Sequence, residues 1–176
     1  MDFMPDFITD FVVDVLTWLG DTLTGAEPWQ QFFVILLAGA IPFVESYLAS
    51  FFTVLLGVTP WLAVPAAILG NWLCMMVLTA LTGGARDAAT RGRDPKPEQE
   101  TSRSRRRVAK YVDRFGVPGV CFLTPLVLPT MITAPILVGF GASRRNVYLY
   151  MTLSIIAWGV LFGVFSDWVM TWYGLG

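Results

Sequence analysis

A single charged residue interrupts the first long apolar region of this chain. From Pro28 to Ala85, a stretch of 58 residues, only Glu45 is charged, and it lies close behind Pro42. A charged side chain at the centre of a bilayer costs about 2.5–3.5 kcal/mol even on the scales that give the lowest values. Because natural chains keep so costly a residue for a purpose, Glu45 predicts a functional site.

The composition indicates the class of protein. Hydrophobic residues make up 55% of the 176 residues and charged residues only 14%, whereas soluble domains contain about 25% charged residues. We therefore predict a small all-α polytopic membrane protein that forms one compact domain. The charges are also segregated, since all twelve lysines and arginines lie between Arg86 and Arg145.

The N-terminal segment, residues 1–27, contains six acidic residues and no basic one. It lacks the basic start of a signal peptide, and its aspartates recur every four residues. Apolar residues occupy the opposite face at helical spacing, which predicts an amphipathic helix over about residues 4–22 that lies in the membrane interface. Packing and anchoring are the roles expected of this helix, and substrate capture is the alternative.

Four apolar blocks follow, at residues 29–57, 61–82, 116–141 and 146–173. The second and fourth are predicted to span the membrane. Thr59–Pro60 suits the start of a helix and Gly83–Gly84 its end. In the fourth block, Trp168, Trp172 and Tyr173 suit an aromatic belt at the membrane interface.

The first and third blocks are interrupted by prolines. Pro42–Ser46 divides the first block into halves of about 18 Å each, short of the ~30 Å hydrocarbon core. The third block contains four prolines, each of which removes a backbone donor. We predict re-entrant helical hairpins with tips near Pro42–Ser46 and Thr124–Thr133. The alternative is two pairs of short spanning helices.

Charge bias predicts the topology. The arginine-rich residues 86–114 are expected on the cytoplasmic side and both termini outside. A second amphipathic helix over 105–115 then completes an inverted repeat: helix, re-entrant hairpin, spanning helix, and the same order again. The predicted parts are an acidic interfacial helix at 1–27, a first repeat at 28–85, a basic linker at 86–104 and a second repeat at 105–176.

Inverted repeats with paired broken helices are typical of alternating-access transporters, whose sites lie where the breaks meet. The candidate substrate- and proton-binding residues are Pro42, Glu45, Ser46, Asn71, Thr124, Pro129, Thr130 and Thr133. Three alternatives stay open. For Glu45, the alternative role is a structural plug that fills the hairpin tip. For Asn71 it is an interhelical hydrogen bond, and for the threonines it is hydrogen bonding within their own helices.

Other chemistries are not indicated. Cys74 and Cys121 lie in apolar segments without metal-ligand spacing and are expected to be inert thiols. With no histidine and no clustered acids in the chain, we expect no metal and no cofactor. The sequence has no nucleophile–base pair, Gly-rich phosphate loop or metal-ligand spacing, so we expect no enzymatic activity. The arginine run at 103–107 is expected to set topology and contact anionic lipids, and not to bind nucleic acid.

Short motifs carry a resemblance over about residues 35–165. Ala40–Glu45 and Ala67–Asn71 resemble the first half of the small multidrug export protein family. Arg114–Gly119, Pro125–Thr130 and Gly139 resemble its second half. That family is a distant relative of the DedA, or VTT-domain, membrane proteins.

The resemblance implies export of small molecules or, through the wider kinship, movement of lipids. DedA relatives have facing re-entrant loops with an essential acid in the first and arginines in the second. Glu45 matches the acid, but no basic residue lies between Arg114 and Arg144, and Ser46 and Tyr47 stand where an arginine is usual. These departures weaken phosphate binding and favour a carboxylate that changes its protonation, since desolvation disfavours the charged form.

The sequence thus predicts an integral membrane transporter in the plasma membrane of a prokaryote, with the proton as coupling ion. Its substrates are expected to be small cationic or amphiphilic molecules, and its other partners membrane lipids and, in a homodimer, a second copy. The first alternative is a translocase for polyprenyl phosphate or phospholipid. The second is a non-transporting scaffold that docks partner proteins through the acidic N-terminal helix.

Overall fold

The computed structural model describes residues 6–90, 116–123, 125, 128–139 and 142–174. Within these residues every regular element is a helix, which confirms the all-α class, and no strand occurs. The helices are α1 (Asp6–Leu23), α2 (Pro28–Gly39), α3 (Glu45–Leu55), α4 (Pro60–Thr90), α5 (residues 116–123), α6 (Thr130–Gly139) and α7 (Arg144–Trp172).

The described residues divide into two compact units. The first unit contains the chain up to Leu73 and the chain from Ile155 onward, and the second lies between Cys74 and Ser154. Helices α4 and α7 each contribute residues to both units.

Helix α1 is amphipathic, and one of its faces packs on α2 and α3 of the first unit. Val15, Leu19 and Leu23, spaced by four residues, are buried in a core shared with α2 and α3. Asp14 and Asp21 are exposed. The burial of the apolar face supports the packing role, while a place in the membrane interface stays a prediction.

Local signals explain the limits of α2 and α3. Pro28 starts α2 at the position where a missing backbone donor costs nothing, and the backbone N–H of Glu27 donates to Oε1 of Gln30 at 2.9 Å. Gly57, with φ +87°, ends α3 in the left-handed conformation that glycine adopts without strain. The N–H of Val58 then reaches back to the carbonyl of Thr53 at 3.1 Å.

Helix α4 continues past the glycine pair at Gly83–Gly84 to Thr90, so the predicted end there is wrong. Glycine ends a helix when it takes a positive φ, and neither glycine does so. The following residues, rich in alanine from Ala85 onward, favour continuation of the helix. The helix therefore enters the predicted linker, whose remaining residues lie outside the described chain, as do the predicted helix at 105–115 and Thr124.

Two of the described helices are long and apolar enough to cross a membrane: Pro60–Thr82 within α4, and α7 along its whole length. The other described helices fall short of this criterion. This finding agrees with the two predicted spanning blocks by length and composition.

Close backbone contact holds α2 against α4 in the first unit. A Cβ added to Gly39 would overlap the carbonyl oxygen of Ala67, and one added to Gly70 would overlap that of Leu36. The order of these contacts shows that the two helices run antiparallel. Small residues let helix backbones approach in this way, and such interfaces are common between membrane helices.

Candidate functional site

The break between α2 and α3, residues 40–44, and the first residue of α3 have an unusual backbone. Phe43 has φ +69° and Glu45 φ +51°, the only non-glycine residues with positive φ in the described chain. The left-handed conformation costs an L-residue roughly 1–2 kcal/mol. Strain of this kind persists where the surrounding structure enforces it, and such positions cluster at functional sites.

Glu45 opens α3 and is fully enclosed. Its side chain is 1% exposed, and the neighbouring Val44 and Ser46 are equally buried. Its backbone N–H donates to the carbonyl of Ile41 at 3.1 Å, which closes the turn across Pro42. The turn thus buries the carboxyl group of Glu45 while Pro42 itself stays exposed.

The charged residues of the first unit are all acidic. Its sequence segments, residues 1–73 and 155–176, contain no lysine, arginine or histidine. They contain eight acidic residues: Asp2, Asp6, Asp10, Asp14, Asp21, Glu27, Glu45 and Asp167. A region with this composition attracts cations and repels anions.

Ser46, predicted as a binding residue, joins α3 to α7. Its hydroxyl donates to the carbonyl oxygen of Ile155 at 3.0 Å. Nearer the end of α3, the hydroxyl of Ser166 donates to the carbonyl oxygen of Phe51 at 2.7 Å. These two bonds hold α3 and α7 side by side in parallel orientation, so the Ser46 hydroxyl has a structural use.

Small residues line both sides of the α3–α7 contact. A Cβ added to Gly159 would lie 2.6 Å from Cγ1 of Ile68 on α4 and 3.3 Å from Cβ of Ser46 on α3. One added to Gly163 would overlap Cγ2 of Val64 on α4 and lie 3.6 Å from Cβ of Ser50 on α3. Ser50 is buried, and its hydroxyl has no hydrogen-bond partner within the described residues. Ser46 and Ser50, like Gly159 and Gly163, are separated by three residues, a spacing that predicts close helix packing in membranes and that the sequence interpretation missed.

Asn71 lies on α4 in the same unit as Glu45. Its side chain is completely buried, and it follows Gly70, where α4 meets the backbone of α2. Burial at a helix contact is compatible with both predicted roles, the binding residue and the interhelical bond.

The remaining candidates belong to the second unit. Pro129, Thr130 and Thr133 are buried at the start of α6. The Thr133 hydroxyl donates to the carbonyl oxygen of Pro129 at 3.1 Å, and the backbone N–H of Ile132 donates to the same oxygen at 3.0 Å. Thr133 therefore forms the local helix bond that was the alternative for the threonines.

The strain at Phe43 leads to a stability prediction. Phe43→Gly and Phe43→Ala both remove the half-buried ring, but only glycine adopts φ +69° without strain. We expect the glycine variant to be more stable than the alanine variant by about 1 kcal/mol, the reverse of the usual order. Thermal unfolding of the purified variants measures this difference. An alanine variant as stable as the glycine variant would contradict a strained tip.

Comparison of the chain with protein-family models, with curated proteins and with solved structures finds no match. The functional argument therefore depends on the chemistry and geometry of the chain itself.

Proposed function

We propose that this protein is an integral membrane secondary transporter that exports small cationic or amphiphilic molecules in exchange for protons, with Glu45 as the residue that binds them. The observation that carries the proposal is the position of Glu45. It is buried at a strained break between two short helices, within a unit that contains no basic residue. The resemblance to the small multidrug export proteins is part of the same proposal.

Exposed apolar side chains support a place in the membrane. Along α4 an exposed residue recurs every fourth position: Trp61, Pro65, Leu69, Leu73, Val77 and Leu81. From Trp61 to Leu81 this stripe extends about 30 Å, the thickness of the hydrocarbon core of a bilayer. Only 39% of the apolar window of α4 and 33% of that of α7 are buried inside the protein. The core helix of a soluble protein would instead be mostly buried.

Helix lengths support the re-entrant arrangement. With 12, 11 and 10 residues, α2, α3 and α6 are each about 15–18 Å long and fall well short of the bilayer core. The first apolar block is broken at residues 40–44, and the helical segments 116–123 and 130–139 are separate elements of the third. Paired short helices of this kind favour the proposed inverted repeat over a bundle of full-length spans.

The proposed cycle uses one carboxyl group for two ligands. When Glu45 releases its proton, the negative charge attracts a cationic substrate into the first unit, whose own charged residues are all acidic. When Glu45 takes up a proton from the other side, that attraction is lost and the substrate leaves. Because the proton and the cation bind the same group in turn, the inward movement of one drives the outward movement of the other.

Proton flux in proteoliposomes tests the proposal. The protein is reconstituted with an internal pH dye and an imposed pH gradient, and tetraphenylphosphonium, ethidium or polyprenyl phosphate is added. We expect the two cations, and not the phosphate, to evoke proton flux. Flux evoked by polyprenyl phosphate would favour the lipid translocase. If no compound evokes flux in folded, inserted protein, the transporter fails and the scaffold becomes the better hypothesis.

A further inference from the structure

A continuous run of aromatic rings lies along the contact between α3 and α7, entirely within the first unit. We call it the aromatic track, and it consists of Tyr47, Phe51, Trp158, Phe162, Phe165, Trp168 and Trp172. Successive ring centroids are 5.5 Å apart for Tyr47–Phe162, 6.2 Å for Phe162–Phe51, 6.1 Å for Phe51–Phe165, 6.0 Å for Phe165–Trp168 and 5.7 Å for Trp168–Trp172, with Trp158 5.9 Å from Phe162.

The exposure of the rings falls along the track. Trp172 is 72% exposed and Trp168 55%, whereas Phe162 and Tyr47 are half-buried. At the inner end, the Tyr47 hydroxyl donates to the carbonyl oxygen of Phe43 at 3.4 Å, two residues before Glu45. The track therefore leads from an open surface near the end of α7 to the neighbourhood of the buried acid.

One acidic residue lies beside the outer half of the track in the sequence and another near its inner end. Asp167 is exposed between Phe165 and Trp168 in the sequence, and Glu45 lies two residues before Tyr47. Aromatic ring faces carry negative charge density and attract organic cations. Together with a unit that contains no basic residue, the rings and the exposed Asp167 make a surface that is complementary to a large, weakly hydrated cation, and the buried Glu45 lies beyond its inner end.

We propose that the aromatic track binds lipophilic organic cations, such as phosphonium and quaternary ammonium ions, and guides them from the membrane interface to Glu45. The proposal deepens the proposed function and rests on it for the role of Glu45. It differs from the interpretation of Trp168 and Trp172 as a simple interfacial belt, because a belt anchors the helix at the interface and requires no saturable binding site for a cation.

Two isosteric ions of opposite charge test this selectivity. Tetraphenylphosphonium and tetraphenylborate have nearly the same size and shape, so the hydrophobic contribution to their binding is nearly equal. A difference in saturable binding therefore reports the effect of charge. Equilibrium dialysis against full-length protein in nanodiscs of zwitterionic lipid measures saturable binding of each, with empty nanodiscs as the blank. We expect saturable binding of the cation only.

Ring substitutions locate the site. Trp168→Leu removes an exposed ring of the track, and the matched control Trp61→Leu removes a 91% exposed tryptophan on α4 with no ring contact within the described residues. We expect Trp168→Leu to weaken phosphonium binding about 2- to 5-fold, the effect of one exposed cation–π contact. Trp61→Leu should bind as the unmodified protein does. Phe162→Leu should weaken phosphonium binding more than Trp168→Leu does. If the Phe162→Leu variant fails to fold because that ring is more buried, the Trp168→Leu variant still tests the proposal.

The outcomes separate the two proposals. Equal binding of both ions, or unchanged phosphonium binding in Trp168→Leu, would overturn the aromatic track. If Glu45→Gln loses proton flux while the ring variants bind and transport normally, the transporter stands and the track fails. If the ring variants lose phosphonium binding but Glu45→Gln retains proton flux, the track stands as a binding surface and the assignment of the coupling residue fails.

Discussion

Replacing Glu45 by glutamine is expected to abolish proton flux evoked by cationic substrates and leave the protein folded. Glutamine keeps the shape of the side chain and its capacity for hydrogen bonds, but it neither releases a proton nor carries a negative charge. The substrate-evoked signal in proteoliposomes should fall to that of protein-free vesicles. The side chain is buried at the start of α3. Glutamine has the same size and shape as glutamate, so this substitution should not disturb the packing of residues 40–44.

Asp14→Asn is the matched control for this experiment. It also removes one carboxylate from the first unit, but from an exposed position on α1, and it should leave flux unchanged. Thermal unfolding of both variants distinguishes the two roles of Glu45. Loss of the folded state in Glu45→Gln would support the structural plug. A folded Glu45→Gln variant with normal flux would remove Glu45 from the coupling mechanism.

Replacing Gly70 by alanine is expected to destabilise the first unit severely. The added Cβ would overlap the backbone carbonyl oxygen of Leu36, and backbone cannot turn aside as a flexible side chain does. Forcing extra volume into a packed contact costs about 1–3 kcal/mol, and more where the obstacle is rigid. The unfolding midpoint in detergent and the yield of monodisperse protein should both fall.

Gly84→Ala is the control for that prediction, since it makes the same change in the same helix. Nothing lies within 4 Å of a Cβ at Gly84, and alanine is favoured over glycine inside a helix by about 1 kcal/mol. The control should therefore be slightly more stable than the unmodified protein. If Gly70→Ala were equally stabilising, α2 and α4 would not be in close contact.

Patterns of residue type predicted the main elements because they depend on local physics. The proline at residue 42 and the apolar runs on either side were sufficient to predict a break flanked by short helices, and the observed gap at 40–44 contains it. The regular spacing of the aspartates in α1 was likewise sufficient to predict an amphipathic helix. The predicted end of α4 failed because Gly83–Gly84 permits a left-handed turn without requiring one.

The site was less predictable because its geometry depends on contacts between distant segments. Nothing in the identity of Phe43 indicates a positive φ, which an aromatic residue adopts only when the surrounding structure imposes it. The bond between Ser46 and the carbonyl of Ile155 joins residues 109 positions apart, so the sequence could not show that the hydroxyl was already engaged. The spacing of Gly159 and Gly163 was visible, but its partner helix was not.

The contacts of the first unit limit where that unit can change shape. Helix α2 is interlocked with α4 through Gly39 and Gly70, and α3 is pinned to α7 near both ends by Ser46 and Ser166. Sliding of either pair would break backbone complementarity or buried hydrogen bonds. The two pairs also contact each other, because α2 packs on α3 and the positions of Gly159 and Gly163 on α7 face Ile68 and Val64 of α4. We therefore expect the first unit to keep its shape, with residues 40–44 held between packed helices. Spin labels on α2 and on the part of α7 after Ile155 would then keep a constant separation through a transport cycle, and a change in that separation would contradict a rigid first unit.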